Sequence, residues 1–250
     1  MNPVAVLIAQ NGPTQESIEE ALGVVQTVVQ YAGTAAFAIS AALLAGRRRM
    51  NVVGVVVFGV LVSVGGGTMR DILLGDLPVY WVSEPLSLLV GAVAAAVTIP
   101  LFETGAMSLL ERYDLVRIFD AAGIALFTVL GTNIALDSGA GAVSAVVVGV
   151  ISGVGGGIIR DNIAGKIPDV LSPGHLYASV AIAGSALDVA LLETPMHQST
   201  ASSIAIGFIF IVRLLSIHYG WFLPRFTAVS YTHLRAHETA LRISYAVFCL

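Results

Sequence analysis

Four charged residues stand out because they occur in two matching settings. Arg70–Asp71 follows the glycine triplet Gly65, Gly66 and Gly67, and Arg160–Asp161 follows Gly155, Gly156 and Gly157. Each triplet lies near the end of an apolar stretch, and two more ionisable residues, Asp120 and Arg213, fall inside such stretches. Charges in apolar surroundings are costly and mark ion or substrate paths, where each needs a partner or water. Glycine costs about 1 kcal/mol relative to alanine inside a helix. Three in a row therefore predict a kinked or unwound helix, whose freed carbonyls suit a cation and whose half-helix N-termini suit an anion. Two plainer readings stand beside this one. The triplets could serve only close helix packing, and the Arg–Asp pairs could only cap helix ends and anchor their depth. Close packing alone leaves the charged pair after each triplet unexplained.

Other chemistry has little support in the residues. The single cysteine, Cys249, excludes an intramolecular disulfide and any CxxC metal site. The five histidines form no HExxH motif, and no serine has a nameable base. Neither glycine triplet has the GxxxxGK[ST] spacing of a nucleotide-binding loop, which argues against ATP-driven transport. No catalytic residue, metal ligand or cofactor is expected, and the chain reads as a non-enzyme.

The elements that position these charges follow from composition. The chain is 56% apolar and 11% charged over 250 residues, with a mean hydropathy of +0.88. Soluble domains carry about 25% charged residues, so a soluble enzyme, a nucleic-acid binder and a disordered linker are all excluded. The net charge of −4 gives no basic face for nucleic acid. The expected fold class is an all-α integral membrane protein whose first partner is the lipid bilayer. A membrane helix needs about 20 mostly apolar residues, and seven stretches qualify, at roughly 21–46, 51–69, 85–102, 116–136, 142–159, 175–192 and 201–222. Residues 1–20 read as a polar leader without the cationic start of a signal peptide. Arg47, Arg48, Arg49, Arg112, Arg117, Arg160, Lys166 and Arg225 fall on one set of loops, and only Arg70 on the other. The positive-inside rule then puts the N-terminus outside and the C-terminus in the cytoplasm, in a multi-pass protein of the plasma (inner) membrane.

Self-comparison at an offset of 90 residues superposes Val64–Asp71 on Val154–Asp161, and Gly75 and Pro78 on Gly165 and Pro168. The doubled pattern GGGxxRDxxxGxxP divides the chain into a first repeat over 21–110 and a second over 111–198. A seventh helix follows over 199–226, and an atypical tail over 227–250. Three spans per repeat is an odd number, so the second copy must enter the membrane from the opposite side. That makes a 3+3 inverted repeat plus one extra helix, an architecture that places transport sites between the repeats. Residues i and i+1 on a helix do not face each other, so a crossed arrangement is expected, with Arg70 near Asp161 and Arg160 near Asp71. Arg213 should face Asp120 or Asp188, with Asp120 preferred and Asp188 read as interfacial. Tyr80, Trp81, Tyr219 and Trp221 read as interface aromatics.

The string Gly33–Ser40 (GTAAFAIS), the two GGGxxRD blocks, Asp120-Ala-Ala-Gly and the RLLSIHYGW string from Arg213 to Trp221 resemble one family over residues 22–226. It is that of the bacterial and archaeal trimeric intracellular cation channels, whose repeat is also described as a glycine-transporter domain. The resemblance implies a homotrimer with a pore in each protomer between inverted repeats. It also implies kinks at Gly65–Gly67 and Gly155–Gly157, and Arg70, Asp71, Arg160 and Asp161 at the ends of the path. Conduction of monovalent cations, mainly potassium, is implied as well. One departure concerns Asp120, whose counterpart in the first repeat is Gln30 rather than a second acid. The stretch from Val229 loses both the family pattern and the membrane composition and reads as non-native sequence, so Cys249, His233 and His237 are given no role.

Two functions remain open on this evidence. A potassium channel needs a train of weak oxygen ligands and a gate. A secondary carrier for glycine or another small amino acid needs neighbouring carboxylate and ammonium sites, and broken inverted repeats serve it equally well.

Overall fold

Residues 15–103, 114–172 and 176–221 are described by the computed structural model, and all of their regular structure is helical. The apolar stretches become α1 (Gln15–Arg47), α2 (Val52–Leu74), α4 (Leu86–Val97), α6 (Leu115–Asp137), α7 (Ala142–Ile163), α8 (Ala178–Leu192) and α9 (Gln198–Tyr219). Two one-turn helices, α3 (Tyr80–Ser83) and α5 (Pro100–Glu103), flank α4. Local chemistry sets several ends. The Asn51 side chain accepts a 2.7 Å hydrogen bond from Gly54 N at the start of α2, which satisfies one of the free N–H groups there. Gly75 and Gly220 end α2 and α9 in the left-handed conformation, with φ of 71° and 66°.

Seven apolar segments thus stand where seven were expected, but five of them are long enough to cross a bilayer. Helix α8 has 15 residues and at 1.5 Å per residue rises only about 22 Å, short of a hydrocarbon core of about 30 Å. The prolines and polar turns around α4 and α8 shorten these helices relative to the expected spans. Helix α1 begins at Gln15, inside the stretch expected as leader. The tail expected to be non-native, and the stretch at 104–113 where the repeats meet, lie outside the described residues.

Helices α1, α2 and α4 pack against one another, and so do α6, α7 and α8, while α9 lies against α6 and α8. The groups meet along α1 with α6 and α2 with α7. Phe37 of α1 and Phe127 of α6 stack with ring centroids 5.6 Å apart, each covering a glycine of the other helix. A Cβ on Gly123 would lie 2.7 Å from the Phe37 ring, and one on Gly33 would lie 2.8 Å from the Phe127 ring. These contacts exchange under the 90-residue offset.

The second crossing is built from the triplets. A Cβ on Gly66 would strike the Ser152 carbonyl, one on Gly155 would lie 3.2 Å from Gly66 Cα, and one on Gly156 would lie 3.0 Å from the Val62 carbonyl. Helices α2 and α7 run through the triplets without interruption, so the expected unwinding is not observed. The glycines let two backbones touch while both helices continue through the contact. Gly65 faces Ile159 while Met69 faces Gly155, the register of an antiparallel pair.

The outside of this bundle is apolar, and its charged side chains lie inside, within an otherwise apolar core. Val57 and Leu61 on α2, Val143 and Val147 on α7, and Phe208 and Ile211 on α9 are exposed, whereas Arg70, Arg160 and Arg213 are buried. That inversion is what lipid as solvent requires, and the chain is a multi-pass membrane protein.

The tight crossing makes a direct prediction. Gly66→Ala should lose about 1–3 kcal/mol to overpacking. Gly23→Ala, where nothing lies within 4 Å of the added Cβ, should be neutral or slightly stabilising. Thermal unfolding of the two purified variants in detergent checks this, and equal Tm losses would contradict it.

Candidate functional site

The repeated motif folds in a similar way twice, with the N–H that returns to the aspartate nine residues on in the first copy and eight in the second. Past the end of α2, Gly75 takes a φ of 71°, and past the end of α7, Gly165 takes 69°. Each left-handed glycine lets the next residue bond back: Asp76 N donates to the Asp71 carbonyl (2.9 Å) and Lys166 N to the Asp161 carbonyl (3.0 Å). This is the glycine stop common at helix C-termini. The chain then passes a proline and returns a backbone N–H to the motif carboxylate. Tyr80 N donates to Asp71 Oδ2 (2.8 Å), and Asp169 N to Asp161 Oδ2 (2.9 Å). The other carboxylate oxygen faces its own arginine, with Arg70 Nε donating to Asp71 Oδ1 (2.8 Å) and Arg160 Nε to Asp161 Oδ1 (2.9 Å).

The crossed pairing expected from the sequence is therefore wrong. Each arginine pairs with the aspartate beside it. The rule that neighbours on a helix diverge holds for short side chains. Here the returning loop fixes the carboxylate, and the long guanidinium stem folds over to reach it.

Around Arg160 the motif becomes a closed network. Its Nη1 donates to Asp120 Oδ1 (2.7 Å) and to Ser40 Oγ (2.9 Å). Asp120 also accepts from the Tyr177 hydroxyl (3.2 Å). Arg213 Nη2 lies 3.7 Å from Asp120 Oδ2, its Nη1 donates to the Leu176 carbonyl, and its guanidinium sits 4.5 Å above the Tyr177 ring. Asp120 is thus the partner of Arg213, as preferred from the sequence. Lys166 Nζ approaches Asp161 (3.1 Å) and Asp169 (3.3 Å). Three cations meet three carboxylates, and Arg160 and Asp120 are wholly buried.

Around Arg70 the counterpart stays open. Gln30 occupies the place equivalent to Asp120, and Leu130 that of Ser40. Arg70 keeps Asp71, with Nη2 2.6 Å from Oδ1, and lies 5.4 Å from the Tyr80 ring centroid. Its Nη1 is buried without a hydrogen-bond partner, as are Arg160 Nη2 and Arg213 Nε in the other cluster. Arg70 borders a cavity of about 450 Å³ whose polar lining includes Gln26, Gln30, Asp76, Tyr80 and Glu84. Burial outweighs the pull of Arg70 and holds the Tyr80 phenol above its ordinary pKa, so it stays neutral. The antiparallel register of α2 and α7 sets the two arginines on opposite sides of the glycine crossing.

Six residues named from the sequence thus fall into two clusters: Arg70 with Asp71, and Arg160 with Asp161, Asp120 and Arg213. Sequence reasoning missed Ser40, Tyr177 and Asp169, and gave Tyr80 only an interface role. A Cβ on Gly67 would strike the Tyr80 ring, and one on Gly157 the Tyr177 hydroxyl. The third glycine of each triplet thus makes room for a tyrosine. Trp81 Nε1 donates to Thr68 Oγ1 (2.9 Å). Asp188, expected at the interface, is instead fully buried.

Comparison with known proteins agrees with this organisation. The profile of a family described as glycine transporter matches twice, over residues 27–103 and 117–193, with the same offset as the internal repeat. The inner membrane protein YadS of Escherichia coli (strain K12), designated UPF0126, is 42% identical over 195 residues, covering 78% of this chain and 92% of that one. A UPF0126 membrane protein of Vibrio cholerae is 37% identical, covering 78% and 80%. Among solved structures, the trimeric intracellular cation channel orthologue from Rhodobacter sphaeroides superposes with a TM-score of 0.73 at 34% identity, over 79% of this chain and 99% of that one. A prokaryotic channel of the same type, crystallised in 0.5 M KCl, gives 0.73 at 28% identity, over 78% and 97%.

The closed network predicts an asymmetric cost. Asp120→Asn removes the charge facing two buried arginines and should lose about 3–5 kcal/mol, while Glu84→Gln, at the exposed cavity rim, should stay within about 0.5 kcal/mol. Unfolding in mixed micelles checks both, and a mild Asp120→Asn would mean that the network contributes little.

Proposed function

The chain belongs to the glycine transporter family of membrane proteins, and from that membership and the fold shared with trimeric intracellular cation channels we propose that it is a cation channel. The observation that carries this reading is the crossing of α2 and α7 at Gly66 and Gly156, with a buried Arg–Asp pair on either side. Charges held inside a bilayer mark an ion path, and a crossing of bare backbones is where two helices can shift against each other with least resistance from side chains.

In this proposal the two repeats are inverted, three spans each, and the path runs between them within one protomer. Potassium is the main ion, and three protomers associate, as in the cation channels whose fold is shared. The cavity at Arg70 is one mouth, where Asp76 and Glu84 draw cations in. The Asp120–Arg160–Arg213 network is the closed gate at the other end, and opening bends α2 and α7 at the triplets. The protein sits in the cytoplasmic membrane with its N-terminus outside.

A second reading rests on the same asymmetry. One pair is open to a cavity of about 450 Å³ and the other is sealed, as in a carrier that exposes its site to one side at a time. Arg70 would then receive the carboxylate of glycine or a similar small amino acid, and Asp76 or Glu84 its ammonium group.

Flux in proteoliposomes separates the two. With a potassium gradient and a potential-sensitive dye, the channel should dissipate the potential whether or not glycine is outside. Gly66→Leu and Gly156→Leu should reduce that dissipation at least about tenfold by filling the crossing. Saturable glycine uptake without potassium leak would establish the carrier and overturn the channel.

A further inference from the structure

Away from the candidate path, between α6, α8 and α9, lies a polar cluster that neither Arg–Asp pair touches. Asp188 of α8 is fully buried, and the side chains close enough to hydrogen-bond its carboxylate are neutral. None of the ion pairs among the described residues includes it; its polar neighbours are Ser202 and Asn133. One turn earlier on α8, Ser185 Oγ lies 2.6 Å from Thr132 Oγ1 of α6. Thr132 already donates to the Thr128 carbonyl, so Ser185 supplies that proton. Asn133 Nδ2 donates to Ser202 Oγ (2.8 Å), and Gln198 Nε2 to Asn133 Oδ1 (3.3 Å). Gln198 opens α9 and is only partly buried, so this chain of polar groups leads inward from the end of the bundle.

The internal repeat provides a control within the same molecule. At the 90-residue offset Asp188, Ser185, Thr132 and Asn133 correspond to Thr98, Ala95, Ala42 and Leu43. Those four are also buried, and Thr98 Oγ1 is satisfied by the Ala95 carbonyl at 2.6 Å. The fold therefore closes this position with apolar side chains and one self-satisfied hydroxyl. The second repeat instead carries a carboxylate with hydroxyl and amide groups near it, beneath α9. A lone carboxylate within a membrane bundle needs a countercharge, and hard oxygen ligands of this kind suit hard cations rather than soft transition metals. One negative charge suits a monovalent ion, and among the described residues no group of three His, Cys, Asp or Glu exists to hold a divalent one.

We propose that Asp188, with the oxygens of Ser185, Thr132, Asn133 and Ser202, binds one dehydrated sodium or potassium ion that clamps α9 onto the second repeat. The ion is structural, lies off the conduction path, and enters past Gln198.

The test is thermal unfolding of the purified protein, followed by tryptophan fluorescence, in sodium, potassium or choline chloride at equal ionic strength. Sodium or potassium should raise the wild-type Tm by about 3–5 °C over choline. The rise should disappear in Asp188→Asn, and Ser185→Ala should need several-fold more cation to reach it. Should Asp188→Asn not fold, the first-repeat set Asp188→Thr, Asn133→Leu and Ser185→Ala should fold and be insensitive to cation. Equal Tm values in all three salts would overturn the proposal. So would a cation-dependent rise that survives in Asp188→Asn, because the ion would then bind elsewhere. A Tm that follows pH but not cation, and loses that dependence in Asp188→Asn, would also overturn it by making Asp188 a proton site. Because the readout is stability and not flux, failure here leaves the channel proposal standing, and failure of the channel leaves this site standing.

Discussion

A guanidinium cannot leave the bilayer interior uncompensated, and the rest of this fold is arranged around that constraint. Arg70, Arg160 and Arg213 are among the largest fully buried side chains. Each is held in protein because the alternative, a cation facing lipid, costs several kcal/mol. The glycine triplets bring α2 and α7 together, the glycine stop after each motif turns the chain, and the returning loop fixes a carboxylate beside each motif arginine. Small residues at the crossings and charges just beyond them are two parts of one solution. Bare backbones save volume at the axis, and that volume is where long polar side chains and their tyrosine neighbours fit.

Much of this was legible in the sequence. Composition identifies the solvent as lipid, and the doubled GGGxxRDxxxGxxP identifies the duplication and the residues that matter. The need of a buried arginine for a countercharge also narrows the partner of Arg213 to Asp120 or Asp188, with Asp120 preferred. Pairing within the motif was not legible, because it depends on where the loop after Gly75 or Gly165 returns its N–H, and helical periodicity says nothing of a loop's path. Unwinding at the triplets was inferred from propensity alone. Packing of α2 against α7 overrides propensity, since the glycines are stabilised by the contact that only they permit. Asp188 was misjudged from its nearness to a helix end; the cover provided by α9 is a tertiary fact that sequence position does not carry.

The repeats have diverged where the comparison is most instructive. Gln30 and Leu130 leave Arg70 with one carboxylate and an open cavity, while Asp120, Ser40 and Arg213 close the space around Arg160. The extra helix accounts for much of the difference. It brings Arg213 to one repeat and has no counterpart on the other, so a duplicated scaffold acquires two unlike ends. An asymmetric conductor or carrier needs such a difference between its ends.

The brevity of α4 and α8 has a consequence for the surrounding lipid. Beside five full-length spans, these two helices present an apolar belt several ångströms short of an ordinary hydrocarbon layer. Acyl chains next to them must compress, or the helix ends must draw in headgroups and water, at a cost of a fraction of a kcal/mol for each ångström of mismatch. The annulus around the protein is therefore thinned on two of its sides and not on the others. Shorter or more unsaturated chains will be enriched there, and a change in membrane thickness will press on the short helix of each repeat.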